Sequence, residues 1–304
     1  MYISEPEIRA ALTYEALIPA IRQALIDYSA GLVTQPLRSV LRAGNAPGAN
    51  NGWFAVMPVV AGEMMAVKTV TFFPGNTAVG LHTHLAVVEL LSRATGEPLA
   101  LMDGRLITEM RTAAVSAVAF AALAPPQAAS LGILGSGVQA RAHIQALRLI
   151  RPEMRDIQIW SRHAQHAQRL ADETGARAVP IQEAAACDVV LTATSSPEPV
   201  LQGSWLARHA LVLAVGATGG SLRELDDEAM LGSFLVAESR ECVEREAGDV
   251  LLSGAKVQAE IGEILAGKTA APSGQRMVFK SVGMAIEDLT AARLVWQARQ
   301  SIQR

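Results

Sequence analysis

From Leu131 onward, short apolar runs alternate with helical ones, and few folds accept that rhythm. SLGILG is followed by a helical run to Ile150, then IQIWS, the helical HAQRLADETG, ARAV, DVVLTAT, ALVLAVG and FLVAES. Strands this apolar carry no polar face for water, so they need crossover helices on both sides, which is the arrangement of a doubly wound parallel sheet. Further helices are expected near residues 241–247 and 257–266, then a strand at MVFKSVG and a final amphipathic helix, AIEDLTAARLVWQAR.

The first strand of this series runs into Gly135-Ser136-Gly137 and then a helix, giving the pattern G-x-G-x-x-A with Ala140 in third place. The first glycine permits a tight turn, the second admits a pyrophosphate close to the backbone, and the small third residue lets helix and strand pack. The amides that open the helix, at Val138 and Gln139, then face the anion. Such glycines also occur in ordinary strand-to-helix turns, but the setting between a strand and a helix is the one the mechanism requires. At the end of the second strand an acidic residue would accept the ribose hydroxyls of NAD. This strand instead runs into Ser161-Arg162, a hydroxyl and a guanidinium that suit the 2′-phosphate of NADP(H). NADP(H) is therefore the preferred cofactor and NAD(H) remains possible, because Arg162 also reads as a solvated residue opening the next helix.

Before Leu131 the chain has another character. Two helical stretches, PEIRAAL and YEALIPAIRQALIDYSAG, lead into extended runs at PLRSVLR, GWFAVMPVV, MMAVKTVTFF, LAVVELLS and LALMDG, the last pair joined by a Gly-Glu-Pro turn. RLITEMRTAAVSAVAFAALA is rich in helix formers until Pro125-Pro126 end it. A length of 304 residues suits two domains, a mixed α+β one and the doubly wound one. The final helix is expected to return to the first domain and make it discontinuous.

With half the residues hydrophobic, no uninterrupted apolar span long enough to cross a bilayer is apparent, and the N-terminus lacks a basic-then-apolar leader. Two cysteines, Cys187 and Cys242, do not make a disulfide framework. A cytoplasmic protein is expected. A net charge of −3 without a basic block argues against nucleic acid or a membrane surface as partner.

Three cations of the first domain stand in odd places. Lys68 interrupts MMAVKTVTFF, Arg111 lies in the small and apolar helix ITEMRTAAVSA, and Arg38 sits in QPLRSVL. A buried cation is costly unless paired, so each needs a protein carboxylate or a ligand. Each alone reads equally as a salt bridge or a snorkelling surface chain; the three together favour an anionic ligand. His82 and His84, two apart, would share a strand face. Without a third and fourth ligand they make no metal site, and read as a polar pocket wall or as turn histidines.

Taken together, QPLR, VMP, KTVTF, LALMDGRLITEMRTAAVSA, ILGSGVQA, IWSR, AVGAT, RELDDE, GDVLLSGA and FKSVGMAIED resemble the ornithine cyclodeaminase/mu-crystallin family along nearly the whole chain. Within it they are more similar to the ketimine reductases than to the cyclodeaminases. The resemblance implies a Rossmann domain over 113–284 and a substrate-binding and dimerisation domain over 1–112 with 285–304, the active site in the cleft between them, and a homodimer. It places Arg38, Lys68 and Arg111 around the substrate carboxylate, with Lys68 and Arg111 catalytic and His84 in the pocket wall. It places Thr112 by the cofactor phosphates beside Gly135, Ser136, Gly137, Val138 and Gln139, and Arg162 with Ser161 at the 2′-phosphate. Thr194 joins the cofactor site, and Gly216, Ser281 and Gly283 approach the nicotinamide side.

The activity implied is NAD(P)H-dependent reduction of 1-pyrroline-2-carboxylate or 1-piperideine-2-carboxylate to L-proline or L-pipecolate. The alternatives are ornithine cyclodeamination, an alanine or iminosuccinate type of amino acid dehydrogenase, and a non-enzymatic NADPH-dependent binding protein. Cyclodeaminases carry an aspartate where this chain has Thr218 and a glutamate where it has Ala55, and their proton transfers need such groups.

Overall fold

A computed structural model describes residues 1–44 and 51–302, which divide into two compact units, 1–111 with 284–304 and 112–283. In the first unit, β1 (Tyr2–Ile3) leads to α1 (Glu5–Ala11), whose start is closed by reciprocal Ser4 and Glu7 hydrogen bonds, and to α2 (Tyr14–Ser29), capped by Thr13. There follow β2 (Val33–Thr34), β3 (Ser39–Ala43), β4 (Gly52–Ala61), β5 (Met64–Phe72), β6 (His84–Ser92) and β7 (Pro98–Asp103). They form one sheet in the order β1-β7-β6-β5-β4-β2, with β3 also on β4, antiparallel except for β1 on β7.

Alternate residues of this sheet, among them Met57, Val59, Ala66, Val88, Leu90 and Met102, are buried. The last helix, α11 (Ala285–Ile302), lies on β4, β5 and β6 and against α2, so the first unit does take residues from both ends of the described chain. Burying each large aliphatic side chain of this layer contributes about 1.5–3 kcal/mol. His82 lies in the loop before β6 and not on the strand, so the two histidines do not share a strand face as their spacing suggested.

A long helix, α3 (Gly104–Leu123), begins in the first unit and ends in the second, two residues short of Pro125. It is long and apolar enough to cross a bilayer by length and composition, which the sequence reading did not single out, but 78% of the qualifying window is buried inside the fold.

The second unit holds β8 (Ser130–Leu134), α4 (Val138–Ile150), β9 (Asp156–Trp160), α5 (Ala164–Thr174), β10 (Arg177–Ala178), α6 (Ile181–Ala185), β11 (Val189–Thr192) and β12 (Leu211–Ala214). It continues through α7 (Asp227–Leu231), β13 (Phe234–Ala237), α8 (Arg240–Glu246), α9 (Gly248–Ser253), β14 (Ala259–Glu260), α10 (Ile261–Leu265) and β15 (Met277–Lys280). All eight strands are parallel, in the order β10-β9-β8-β11-β12-β15-β13-β14. The fold is α/β, a Rossmann-type doubly wound sheet joined to a mixed α+β unit. One expected helix, 257–266, is shorter: its first half pairs with β13 as β14, which only a tertiary partner could reveal.

Candidate active site

The chain leaves β8 outward to β9 and β10 and then returns to β11 on the other side, so the strand order reverses between β8 and β11. Ligands of open parallel sheets bind outside the carboxyl ends of the strands at such a reversal. Gly135 stands there. Its φ of 129° belongs to glycine, its N–H donates to the Trp160 carbonyl at 2.8 Å, and a Cβ would come within 2.5 Å of the Ala193 carbonyl oxygen. Gly137 begins α4 with no side-chain cap, and a Cβ there would meet nothing within 4 Å. The first amides of α4, including those of the half-exposed Val138 and of Gln139, therefore open onto free space, and this cradle fits a dinucleotide pyrophosphate.

Ser136 donates to Ser161 Oγ at 2.9 Å, tying the glycine turn to the end of β9, where Arg162 is exposed. A shallow pocket beside Ser136 is lined by Arg141, His166, Arg169 and Leu170, of α4 and α5, which sequence reasoning did not select. Thr194, Gly216 and the turn at Ser281 and Gly283 follow β11, β12 and β15, so they share the carboxyl edge of the sheet with the glycine turn. Thr112 is buried on α3, next to Arg111 in the chain.

Two buried carboxylates shape these turns, and sequence reasoning missed both. Glu224 accepts hydrogen bonds from Thr192 Oγ1 at 2.9 Å, from Thr194 N and Oγ1 at 2.6 and 2.7 Å, and from Gly216 N and Ala217 N at 2.9 and 3.2 Å. Burial pushes its carboxyl up, while Lys280 and the Thr194 bonds oppose that shift. At Gly216 the turn packs so closely that a Cβ would lie 2.1 Å from the Thr194 carbonyl oxygen. Glu238 accepts from Ser281 Oγ and Val282 N, both at 2.6 Å, and from Gly283 N. The donors of Ser281 and Gly283 are thus turned inward to Glu238. An acid placed directly after the apolar strand FLVA was the available signal for this residue.

In the first unit the alternation of β5 carries Lys68 to the buried face, under the start of α11. Gln35 Oε1 accepts from Ile286 N at 2.9 Å and fixes that start, and the first turn of α11 supplies Glu287 and Asp288. Lys68 Nζ lies 2.6 Å from Asp288 Oδ2, while Arg111 reaches Glu287 Oε2 at 2.7 Å and Asp288 Oδ1 at 3.3 Å, all four side chains being buried. Two of the three cations singled out in the sequence, Lys68 and Arg111, thus meet two protein carboxylates. Over Arg38, Lys68, Arg111, Glu287 and Asp288 the formal charge is three positive against two negative, or +1. Burial brings the Lys68 ammonium down to about 8, against the pull of Asp288, with Arg111 and Arg38 adding to the fall. The half-buried Arg38 is thereby placed near Lys68. His84 opens β6 and packs on Phe72, with ring centroids 4.6 Å apart.

Comparison with known proteins gives the family and supports the fold. The chain is 38% identical over 310 residues to the ketimine reductase mu-crystallin of Mus musculus, covering 99% of this chain and 97% of that one. The structure of Thermococcus litoralis Δ1-pyrroline-2-carboxylate reductase in complex with NADH and L-proline superposes with a TM-score of 0.93 at 31% identity, covering 100% of this chain and 98% of the other. An archaeal alanine dehydrogenase dimer with bound NAD superposes with a TM-score of 0.94 at 26% identity, covering 100% and 97%. Residues 1–302 match one family throughout, and with a sheet-edge cradle, a buried cation cluster and whole-length relatives in agreement, the chain belongs to the ornithine cyclodeaminase/mu-crystallin family.

Proposed function

We propose that this protein is an NAD(P)H-dependent reductase of cyclic ketimine carboxylates, converting 1-pyrroline-2-carboxylate or 1-piperideine-2-carboxylate to L-proline or L-pipecolate. The observation that carries this reading is Lys68, an ammonium brought to about 8 by burial and held 2.6 Å from Asp288, a proton source suited to neutral pH. Reduction adds a hydride to C2 of the substrate and a proton to its nitrogen. A reduced nicotinamide dinucleotide, when bound, would supply the hydride. Arg111, oriented by Glu287, binds and orients the substrate carboxylate together with Arg38. Lys68 Nζ holds the proton for the imine nitrogen, and Asp288 holds Lys68 in place. Gly135, Gly137 and the first turn of α4 would hold the pyrophosphate, and Ser161 and Arg162 the adenosine ribose end.

Ala55, where cyclodeaminases carry a glutamate, lies on the Lys68 face of the sheet, two residue pairs along the strand, and brings no acid or base to it. The test is NADPH oxidation against both ketimines, with ammonia release from L-ornithine and ammonia-dependent reduction of 2-oxo acids run beside it. Ketimine reduction with no ammonia from ornithine is expected. Ornithine deamination at a matching rate would replace the proposal with the lyase, and cofactor binding without any turnover would replace it with a binding protein.

The NADP(H) preference rests on Arg162. A charge-assisted hydrogen bond contributes roughly 1.5–3 kcal/mol, so Arg162→Ala should remove about one to two decades of NADPH affinity and leave NADH nearly untouched. Equal losses for the two cofactors, measured by fluorescence titration, would return Arg162 to a solvated role.

The protein is further proposed to be a homodimer. The sheet face opposite Lys68 carries Leu41 and Leu85 in one cross-strand row and Leu101 in another, 61%, 41% and 43% exposed. An apolar sheet face of this kind is suited to a second copy. Sedimentation equilibrium should return twice the chain mass, and a single chain mass would end the proposal.

A further inference from the structure

The face that carries Lys68 continues beyond it. In the strand register Lys68 stands between Met57 and Val88; the next row on the same face is Val40, Ala55, Val70 and Ala86, and the one after is Arg42, Trp53, Phe72 and His84. Burial changes along this direction. Met57, Lys68 and Val88 are covered, Val70 and Ala86 are half-buried, and Val40 and Trp53 are 47% and 42% exposed. The row beside Lys68 is a floor of small side chains, with two alanines. The next row is a rim of three rings, in which His84 packs on Phe72 and the Arg42 guanidinium lies 5.1 Å from the centre of Trp53.

A strand advances about 3.4 Å per residue, so the floor lies about 7 Å and the rim about 14 Å from Lys68 along β5. A five-membered ring anchored by its carboxylate at Arg111 and by its nitrogen at Lys68, and extending along β5 toward that row, would reach the floor and stop short of the rim. Two exposed rings, Trp53 and His84, and the half-buried Phe72 on this face, past the reach of the smallest substrate, suit a flat apolar group that extends from it.

We propose that Ala55, Val70 and Ala86 seat the substrate ring while Trp53, Phe72 and His84 bind an aryl substituent on it, so that the preferred substrates are aryl-bearing cyclic ketimine carboxylates. This rests on the reductase reading above. It deepens that reading by naming the substrate class and the residues that select it. Arg42, stacked over Trp53, holds that ring and presents its other face.

The experiment compares 1-pyrroline-2-carboxylate with the same ring carrying a phenyl group at C4, using the full chain and NADPH. The expected kcat/KM ratio favours the phenyl compound by about tenfold, the size of one good ring contact. Trp53→Ala and Phe72→Ala should each lower that ratio several-fold, and Ala55→Leu, which raises the floor, should shift it as well. A readout independent of variant folding is product inhibition of the unaltered protein, where 4-phenyl-L-proline should act at about one-tenth the concentration of L-proline. Good turnover of the unsubstituted ring with a phenyl ratio at or below one would overturn the aryl site and leave the reductase standing. A high ratio insensitive to Trp53 and Phe72 would overturn the residue assignment. Turnover of neither compound, with no inhibitor binding, would remove the reductase reading and the aryl site together.

Discussion

Lys68→Met should lower kcat/KM for ketimine reduction by about a hundred- to ten-thousandfold, the usual worth of a positioned proton donor. The fold should survive the change. Stripping one partner from a buried ion pair costs about 3–5 kcal/mol, but Asp288 keeps Arg111 at 3.3 Å and methionine fills much of the lysine volume. The pH dependence separates proton donation from packing. With the ammonium lowered from 10.5 to about 8, the wild-type rate should fall as pH rises past about 8 and the proton leaves, and the variant should lack that limb. The linkage to stability has the opposite sign. The folded state binds this proton less tightly than the unfolded one, so the cost of the buried ammonium is present below pH 8 and is relieved as pH rises from about 8 to 10.5. Kinetics and melting temperature measured together across this range decide the matter; an intact variant retaining turnover within tenfold of wild type would assign the proton to another group.

Glu224→Ala should have the largest effect on stability. The carboxylate takes five hydrogen bonds, three of them from the backbone amides of Thr194, Gly216 and Ala217. Each buried donor left without an acceptor costs about 1–3 kcal/mol. Three of them cost roughly 3–9 kcal/mol, comparable with the 5–15 kcal/mol that holds a typical protein folded. Thermal unfolding should therefore drop by about 6 °C or more, with dinucleotide affinity falling further as the turns after β11 and β12 loosen. Glu224→Gln keeps one carbonyl oxygen and should fall between. A melting temperature within about 2 °C of wild type for the alanine variant would show that water replaces the carboxylate at no cost.

What the sequence made legible follows physical range. The second unit is a succession of local signals, apolar strands and glycine punctuation, so its strands, its helices and Gly135 were readable before any coordinates. Lys68 and Arg111 were visible because a charge inside an apolar strand or helix violates a local rule. Their partners broke none. Glu287 and Asp288 look like the acidic first turn of any helix, and Glu287 is 176 residues from the arginine it binds. Glu224 sits in the acid-rich run RELDDE, indistinguishable there from solvated neighbours. The two-residue β14 exists only through its pairing with β13, and the sharing of a face by Ala55, Lys68 and His84 depends on a register that no single strand encodes.

The return of α11 to the first sheet has a consequence for the order in which the chain can fold. As the polypeptide emerges, all eight strands of the parallel sheet are present once Lys280 has appeared, and that unit can close by itself. The earlier-made unit must wait. Until residues 285–302 are synthesised, Lys68 and Arg111 have no Asp288 or Glu287, and the apolar face of β4, β5 and β6 has no cover. Released chains truncated before residue 285 should hold the parallel-sheet unit in finished form beside an open first sheet that invites chaperones. The first unit thus matures last, although most of it is made first.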